Sequence, residues 1–259
     1  MAIMALAAAA AALTLPDALA EDDDGAAAEA AATLVSRLKA LRPDIPIENV
    51  TASPIPGIYA LELAGGTVFY GTEDGRYLFA GDLYQLGDDE LVNLAEAGRA
   101  ELRHELLAGV PRSEMIVFSP AGDTRAAINV FTDVDCGFCQ KLHQEVPKLN
   151  EMGIEVRYLA YPRAGVGSES YRKIVSAWCA KDPNSALTKL KARQSIPDAS
   201  CPNPVAEQLD LGRQMGVSGT PAIVLQDGTM LPGYMPAERL AELLAAPHDR
   251  RDPARQRLR

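Results

Sequence analysis

With 259 residues, 47% of them hydrophobic and 23% charged, the chain is long enough to bury the cores of two ordinary domains. Its formal net charge of −10 argues against nucleic acid as a partner, and no apolar run of about 20 residues follows the N-terminal stretch, so nothing beyond it reads as a membrane span. Four cysteines, an even number, permit disulfides if the compartment is oxidising.

The chain begins with an apolar, alanine-rich run from Ile3 to Leu15, and Ala18-Leu19-Ala20 precedes the acidic Glu21-Asp22-Asp23-Asp24. Small-x-small before a polar stretch is the form of a signal-peptidase site, so residues 1–20 are read as a signal peptide, although the usual basic start is missing; the alternative is a buried alanine-rich helix. Glu21 to Asp24 reads as a solvated, disordered start. From Ala27 the apolar positions Ala31, Leu34, Leu38 and Leu41 recur every three or four residues and predict an amphipathic helix that stops before Pro43. Short strands follow at Ile58 to Leu63, Thr67 to Gly71 and Arg76 to Ala80, the last two joined by a hairpin turn at Glu73-Asp74-Gly75. This α+β unit, residues 27–86, is too small for a large core of its own, so a partner surface is expected.

Asp88 is a candidate N-cap for a helix carrying Leu91, Leu94, Ala95, Leu102 and Leu106 on one face and ending at Gly109 and Pro111. About 20 residues at 1.5 Å each give a rod of roughly 30 Å. Its mixed charges and mid-pattern Gly98 favour a linker (87–110) over a core helix.

The second half, residues 111–246, opens with a strand at Met115 to Phe118 and a buried one at Ala126 to Phe131. Next come Cys136-Gly137-Phe138-Cys139 and a segment, Gln140 to Val146, with helix composition. A strand feeding a helix whose first turn carries two cysteines is a redox arrangement: the helix N-terminus favours thiolate over thiol at Cys136, and Cys139 is placed to attack a mixed disulfide formed there. A lone C-x-x-C is weak evidence, since the same spacing serves half of a zinc site or a structural pair. Beyond the kink at Pro147 the pattern predicts a strand at Ile154 to Ala160 and helices at Ser168 to Lys181, Asn184 to Arg193 and Pro204 to Met215. A hairpin about Asp227-Gly228 and a closing helix from Ala237 to Ala245 complete it. The tail, 247–259, has five arginines and two aspartates and reads as disordered. His143, one turn beyond Cys139, is read as a surface histidine, and Asp133 and Asp135 either tune the thiols or are solvated loop carboxylates.

Cys136-Gly-Phe-Cys139, Gly153 to Arg163, Trp178-Cys179-Ala-Lys-Asp182, Gly216 to Pro221 and Pro232-Gly-Tyr234 together closely resemble the periplasmic disulfide isomerases of the DsbC/DsbG type, in register from about Ala31 to Leu244. The resemblance implies an α/β thioredoxin fold with a helical insertion, preceded by a small α+β, cystatin-like dimerisation domain and a linker helix. It also implies a cis Thr220-Pro221 facing the sulfurs, with the Thr220 backbone free to pair with an extended substrate segment, and a structural disulfide between Cys179 and Cys201 in place of a four-thiolate zinc site. No metal or cofactor is implied beyond the dithiol itself. The implied activity is isomerisation of wrong disulfides in secreted proteins by a periplasmic homodimer kept reduced by a membrane thiol reductase. Gly137-Phe138 between the thiols favours this reading over a holdase-type chaperone; a disulfide oxidoreductase of restricted substrate range stays open as the other alternative.

Overall fold

The computed structural model describes residues 21–64, 66–87 and 91–245; the expected signal peptide, the candidate cap Asp88 and the arginine-rich tail lie outside them. The chain divides into two compact units, one formed by the residues up to Leu61 with Phe69–Phe79, the other by Glu62–Val68 and everything from Ala80 onward.

The first unit starts with helix α1 (Glu21–Leu41), six residues earlier than the periodicity indicates. Acidic residues are favoured at a helix N-terminus, so the run read as a disordered start instead opens the helix. A four-stranded sheet follows in the order β1 (Ile47–Ala52), β2 (Ile58–Leu63), β3 (Val68–Thr72), β4 (Leu78–Ala80). β1 was not anticipated, because Ile47-Glu-Asn-Val-Thr-Ala carries only two large apolar residues and stays largely exposed. β2 alternates, burying Tyr59, Leu61 and Leu63, and Leu34 of α1 joins Tyr59 and Leu61 in a small core. Gly71 marks the contact: a Cβ there would lie 2.6 Å from the Leu34 methyls. β4 is shorter than expected and is an edge strand with all three residues exposed; Phe79 stacks on Tyr70 at 5.4 Å.

The second unit begins with an unpredicted two-stranded ribbon, β5 (Tyr84–Leu86) antiparallel to β6 (Leu91–Asn93). Leu91 therefore belongs to a strand, and helix α2 (Leu94–Ala108) is capped by Asn93, whose side chain accepts from the Glu96 N–H at 3.0 Å. Fifteen residues make α2 shorter than the expected rod, and it is docked rather than free. Its Leu106 and Leu107 pack with Phe131, Leu159, Leu209 and Val224, and Gly228, at φ +83°, lies so close that any Cβ would overlap the Ala100 carbonyl. Buried Arg103 joins α2 to the rest of this unit, donating to the carbonyls of Met215 and Gly228, each at 3.1 Å, while pairing with Glu96 at 2.6 Å.

The remaining elements are β7 (Ile116–Phe118), β8 (Ala126–Thr132), α3 (Gly137–Gln144), α4 (Val146–Glu151), β9 (Ile154–Ala160), α5 (Glu169–Trp178), α6 (Pro183–Lys191), α7 (Val205–Gln214), β10 (Ala222–Val224), β11 (Met230–Pro232) and α8 (Ala237–Ala245). The sheet order is β11-β10-β8-β9-β7, with β8 and β9 parallel and the other pairs antiparallel. This is the arrangement expected of a thioredoxin fold, with α5 and α6 and the stretch up to α7 as the helical insertion. β8 and β9 read as near-continuous apolar runs because both faces are covered. Ile128, Val130, Val156 and Tyr158 face a core shared with α3, α5, α6 and α8, whereas Phe131 and Leu159 face the one shared with α7 and α2. Pro147 splits the predicted first helix: α3 ends at Gln144, and α4 restarts with Pro147 in its first turn. Cys179 and Cys201 form a disulfide closing the end of α5 onto the segment before α7, across 22 residues; a loop of that length stabilises by about 3 kcal/mol on the chain-entropy model.

Replacing Arg103 by Leu should lower unfolding free energy in urea by about 3 kcal/mol, because it leaves Glu96 partly buried beside two carbonyls that lose their donor. An Arg103→Leu midpoint equal to that of wild type would show that α2 is not held by this pair.

Candidate active site

The site forms where β8 ends. Asp133, Val134 and Asp135 turn the chain: the Asp133 carboxylate accepts the Asp135 N–H at 2.9 Å, and the Asp133 carbonyl accepts the Cys136 N–H at 3.3 Å. Cys136 is the extended N-cap residue of α3, and Gln140 ties the turn down by donating to the Val134 carbonyl at 2.9 Å. The two cysteines of the pair are free thiols. Cys139, one turn into the helix, has no exposed surface, whereas Cys136 keeps 4%. Cys136 is thus the more accessible residue of the pair, although it too is largely enclosed. Phe138 between them is exposed, and Gly137 faces open space.

The second wall comes from the other end of the sequence. β10 pairs with β8 so that Ala222 lies opposite Phe131, which sets the cis Thr220-Pro221 bond beside the helix start. The Thr220 carbonyl is 3.1 Å from the Cys136 sulfur, in reach of its S–H. The Thr220 hydroxyl is buried and has no hydrogen-bond partner among the described residues; Thr220 is among the causes that lower the Cys136 pKa. The approach to this loop is held by Tyr161, whose hydroxyl donates to the Val217 carbonyl at 2.6 Å, and by the Gly233 N–H, which donates to the Pro221 carbonyl at 2.9 Å.

These contacts separate the two thiols. Hydrogen bonding from Cys139 to Cys136, aided by Thr220, the Cys139 backbone N–H and the Arg163 charge, outweighs burial and brings Cys136 down to about 5. Burial first, and the same sulfur–sulfur bond second, push Cys139 well above its ordinary value. At neutral pH, Cys136 is a thiolate and Cys139 keeps the proton.

Below the sulfurs lies a polar layer that the sequence did not reveal. Asp133 is buried, not a solvated loop carboxylate: its other oxygen accepts from both the N–H and the guanidinium of Arg163, at 2.9 and 3.2 Å. Asp135 is the solvated one and pairs with Lys173. His143 is buried, not on the surface; its ring nitrogens contact the Tyr158 hydroxyl at 3.1 Å and the Thr188 hydroxyl at 3.0 Å, and burial, reinforced by the Lys191 charge, lowers its pKa to about 4. Lys191, absent from the sequence reading, donates to the Thr132 hydroxyl at 2.5 Å and the Asp133 carbonyl at 2.9 Å. Its signal was available: Lys191 follows Leu187 by four residues and so shares the buried face of α6. Because Cys179 and Cys201 are bonded to each other, they offer no thiolates to a zinc site, and among the described residues no cluster of three or more His, Cys, Asp or Glu is placed to hold a metal.

A thiolate at a helix start with a protonated thiol one turn behind it, on a thioredoxin fold, defines a protein that exchanges thiols with disulfides. Residues 112–247 match the thioredoxin-like domain family, and residues 25–96 match the disulfide bond isomerase protein N-terminal domain. The chain is 38% identical over 196 residues to the thiol:disulfide interchange protein DsbC of Escherichia coli K12, covering 76% of this chain and 80% of that protein. It is 39% identical, over the same coverage, to the DsbC of Salmonella typhimurium. A disulfide interchange protein from Neisseria gonorrhoeae aligns with 52% of this chain and 96% of its own, at 31% identity and a TM-score of 0.47. The chain belongs to the DsbC family of thiol:disulfide interchange proteins, enzymes of the disulfide isomerase and oxidoreductase class.

Alkylation against pH checks the assignment of the two thiols. Cys136 should titrate with a midpoint near 5, where an ordinary thiol would titrate near 8.5, while Cys139 stays protected until the protein unfolds. Cys139→Ala should raise that midpoint, because the leading cause of the low value is the hydrogen bond from Cys139.

Proposed function

We propose that Cys136 is the attacking nucleophile of a periplasmic disulfide isomerase and Cys139 its resolving thiol, with Thr220 and Pro221 forming the surface on which a substrate segment lies. The observation that carries this reading is the opposed pair of thiol affinities: one sulfur is ionised and reachable, the other protonated and enclosed. Cys136 attacks a non-native disulfide in a secreted protein, one substrate sulfur leaves as thiolate, and the mixed disulfide either rearranges within the substrate or is resolved by Cys139. Thr220 gives the substrate backbone a polar edge, and exposed Phe138 gives it an apolar contact beside the reacting sulfur. To act again as an isomerase the pair must return to the dithiol, which calls for an electron donor such as a membrane thiol reductase. Residues 1–20 have the form of an export leader, in keeping with a periplasmic location.

Reactivation of a scrambled multi-disulfide substrate tests the roles. Cys136→Ser should abolish it, and Cys139→Ser should retain part, because rearrangement inside the substrate does not require the second thiol. Equal loss in both variants, or activity surviving in Cys136→Ser, would overturn the assignment.

The first unit supports a homodimer. Its buried core is small, and its edge strand β4 exposes Leu78 and Phe79 next to exposed Tyr77 with no charged residue among them. An unprotected apolar edge of this kind pairs with another strand, and two copies of β4 would give an isologous sheet. Leu78→Lys places a charge on that edge without touching the stacked Phe79. Sedimentation should then show a dimer for wild type and a monomer for the variant at micromolar concentration, with thiol reactivity toward small disulfides unchanged; a monomeric wild type would refute the dimer.

A further inference from the structure

Among the described residues one side-chain-bearing residue has a left-handed backbone: Arg193, at φ 59°. It closes α6, its N–H donating to the Leu190 carbonyl and the N–H of Gln194 to the Lys189 carbonyl, each at 2.9 Å. Glycine is the usual residue at such a helix end, because it takes that conformation without steric cost. An arginine there needs a use for its side chain, and backbone strain of this kind clusters at sites that bind or react. The side chain leaves the helix end and crosses to α3. Its Nε donates to the Gln140 side-chain oxygen at 3.0 Å, and Gln140 donates in turn to the carbonyl of Val134, in the turn that leads to Cys136. The remaining guanidinium donors meet no acceptor among the described residues.

Those donors face a groove of about 680 Å³ that opens between Asp135 and Gln140 on the thiol side, Lys173 of α5, and Arg193, Ile196 and Asp198 beyond α6. Arg193 and Gln140 also line a smaller hollow, of about 300 Å³, which reaches Gly137 next to Cys136. The far wall is fixed in place: the Ser176 hydroxyl of α5 accepts the Ala199 N–H at 3.2 Å, and the Cys179–Cys201 disulfide anchors the segment just beyond. Of the two cations in the groove, Lys173 is already paired with Asp135 and Glu169, at 3.1 and 2.8 Å. Arg193 is the cation left for a ligand. Asp198, further along the same segment, is the other acid of the groove besides Asp135, so an incoming carboxylate is drawn to the Arg193 end.

We propose that this groove is a substrate subsite in which Arg193 binds a carboxylate side chain close to the reacting cysteine, giving the enzyme a preference for acidic residues beside the disulfide it attacks. The proposal deepens the reading of Cys136 as the nucleophile and rests on it. A guanidinium fork offers two parallel donors to a carboxylate, and with Nε held by Gln140 its orientation is set before the substrate arrives.

Paired cysteine peptides test this, alike except for Glu or Gln at one position, their cysteine joined to thionitrobenzoate. An extended segment advances about 3.3 Å per residue, so the variable position is moved up to about four residues to either side. The Cys136 thiolate attacks the peptide sulfur; that bond forms, the bond to thionitrobenzoate breaks, and its electron pair leaves on the yellow thiolate, whose release is followed by stopped flow. At the favoured position wild type should react with the Glu peptide about threefold faster than with the Gln peptide at low salt, the range of one exposed charge pair, and the ratio should shrink as salt screens it. Arg193→Gly relaxes the backbone while removing the side chain. It should keep or raise the thermal midpoint and bring the ratio to about one, whereas a merely structural tie between Arg193 and Gln140 would lower the midpoint and leave the ratio alone. Arg193→Lys should keep part of the preference, since an ammonium attracts a carboxylate without gripping both oxygens. Lys189→Gln removes the same charge from the exposed side of α6 and should keep all of it. No preference at any position in wild type, a preference that survives Arg193→Gly, or one lost equally in Lys189→Gln would overturn the proposal. Peptide found on Cys139 in place of Cys136 by mass mapping would instead overturn the reading of the nucleophile.

Discussion

Everything at this site depends on one proton held between two sulfurs. Cys136 is low because Cys139 donates to it, and Cys139 is high because it is buried and must keep that proton. Neither value belongs to its residue alone, since the two ionisations are coupled. The fold supplies the asymmetry that decides which sulfur takes the charge. At the N-cap of α3, Cys136 meets the open N–H groups of the first turn, Thr220 and the Arg163 charge, while one turn further on Cys139 is covered completely. When Cys136 becomes part of a mixed disulfide the acceptor for the Cys139 proton disappears. What was a stabilising hydrogen bond then becomes the problem of where that proton goes next.

The long-range strand pairings exist, from the site's point of view, to fix that small geometry. β8 carries the pair, β10 lies antiparallel to it in register, and the residues just before β10 are thereby delivered to the Cys136 sulfur from 84 positions away. The Tyr161 and Gly233 hydrogen bonds then hold that loop from both sides. A shift of one residue between β8 and β10 would invert the faces of β10 and move Thr220 off the sulfur, so core packing on Ile223 and Val224 enforces the site as well as the fold.

Sequence was informative where periodicity or local chemistry is strong. The parallel strands β8 and β9, the helical insertion, and the dithiol at a helix start were all legible, because long apolar runs and C-x-x-C spacing leave few alternatives. It was weak where a residue's fate depends on a distant neighbour. Asp133 and His143 look like surface groups until Arg163, Tyr158 and Thr188 are brought against them. The short strands β1, β5 and β6 carry too little apolar pattern to stand out, and β6 took Leu91 from the start of the helix because pairing with Leu86 outweighed its fit to a 3.6-residue period. α2 reads as a linker from its mixed charges and Gly98; the charge that matters, Arg103, is buried and serves carbonyls contributed by residues more than a hundred positions later.

The polar layer beneath the sulfurs is costly by any general measure. Asp133, His143 and Lys191 are each at most 8% exposed, and apolar side chains of similar volume would pack there with less desolvation. Its members are not independent, however. Arg163 satisfies Asp133, the Asp133 carbonyl and Thr132 satisfy Lys191, and the Lys191 charge helps to keep His143 neutral against Tyr158 and Thr188. Removing one member leaves the next with an unmet group, so the layer behaves as a unit whose cost is met by packing elsewhere in the sheet. Both of its charged ends lie close to a cysteine, Arg163 lowering Cys136 and Lys191 lowering Cys139 against its burial. A site that must charge first one sulfur and then the other has a use for two cations, one for each.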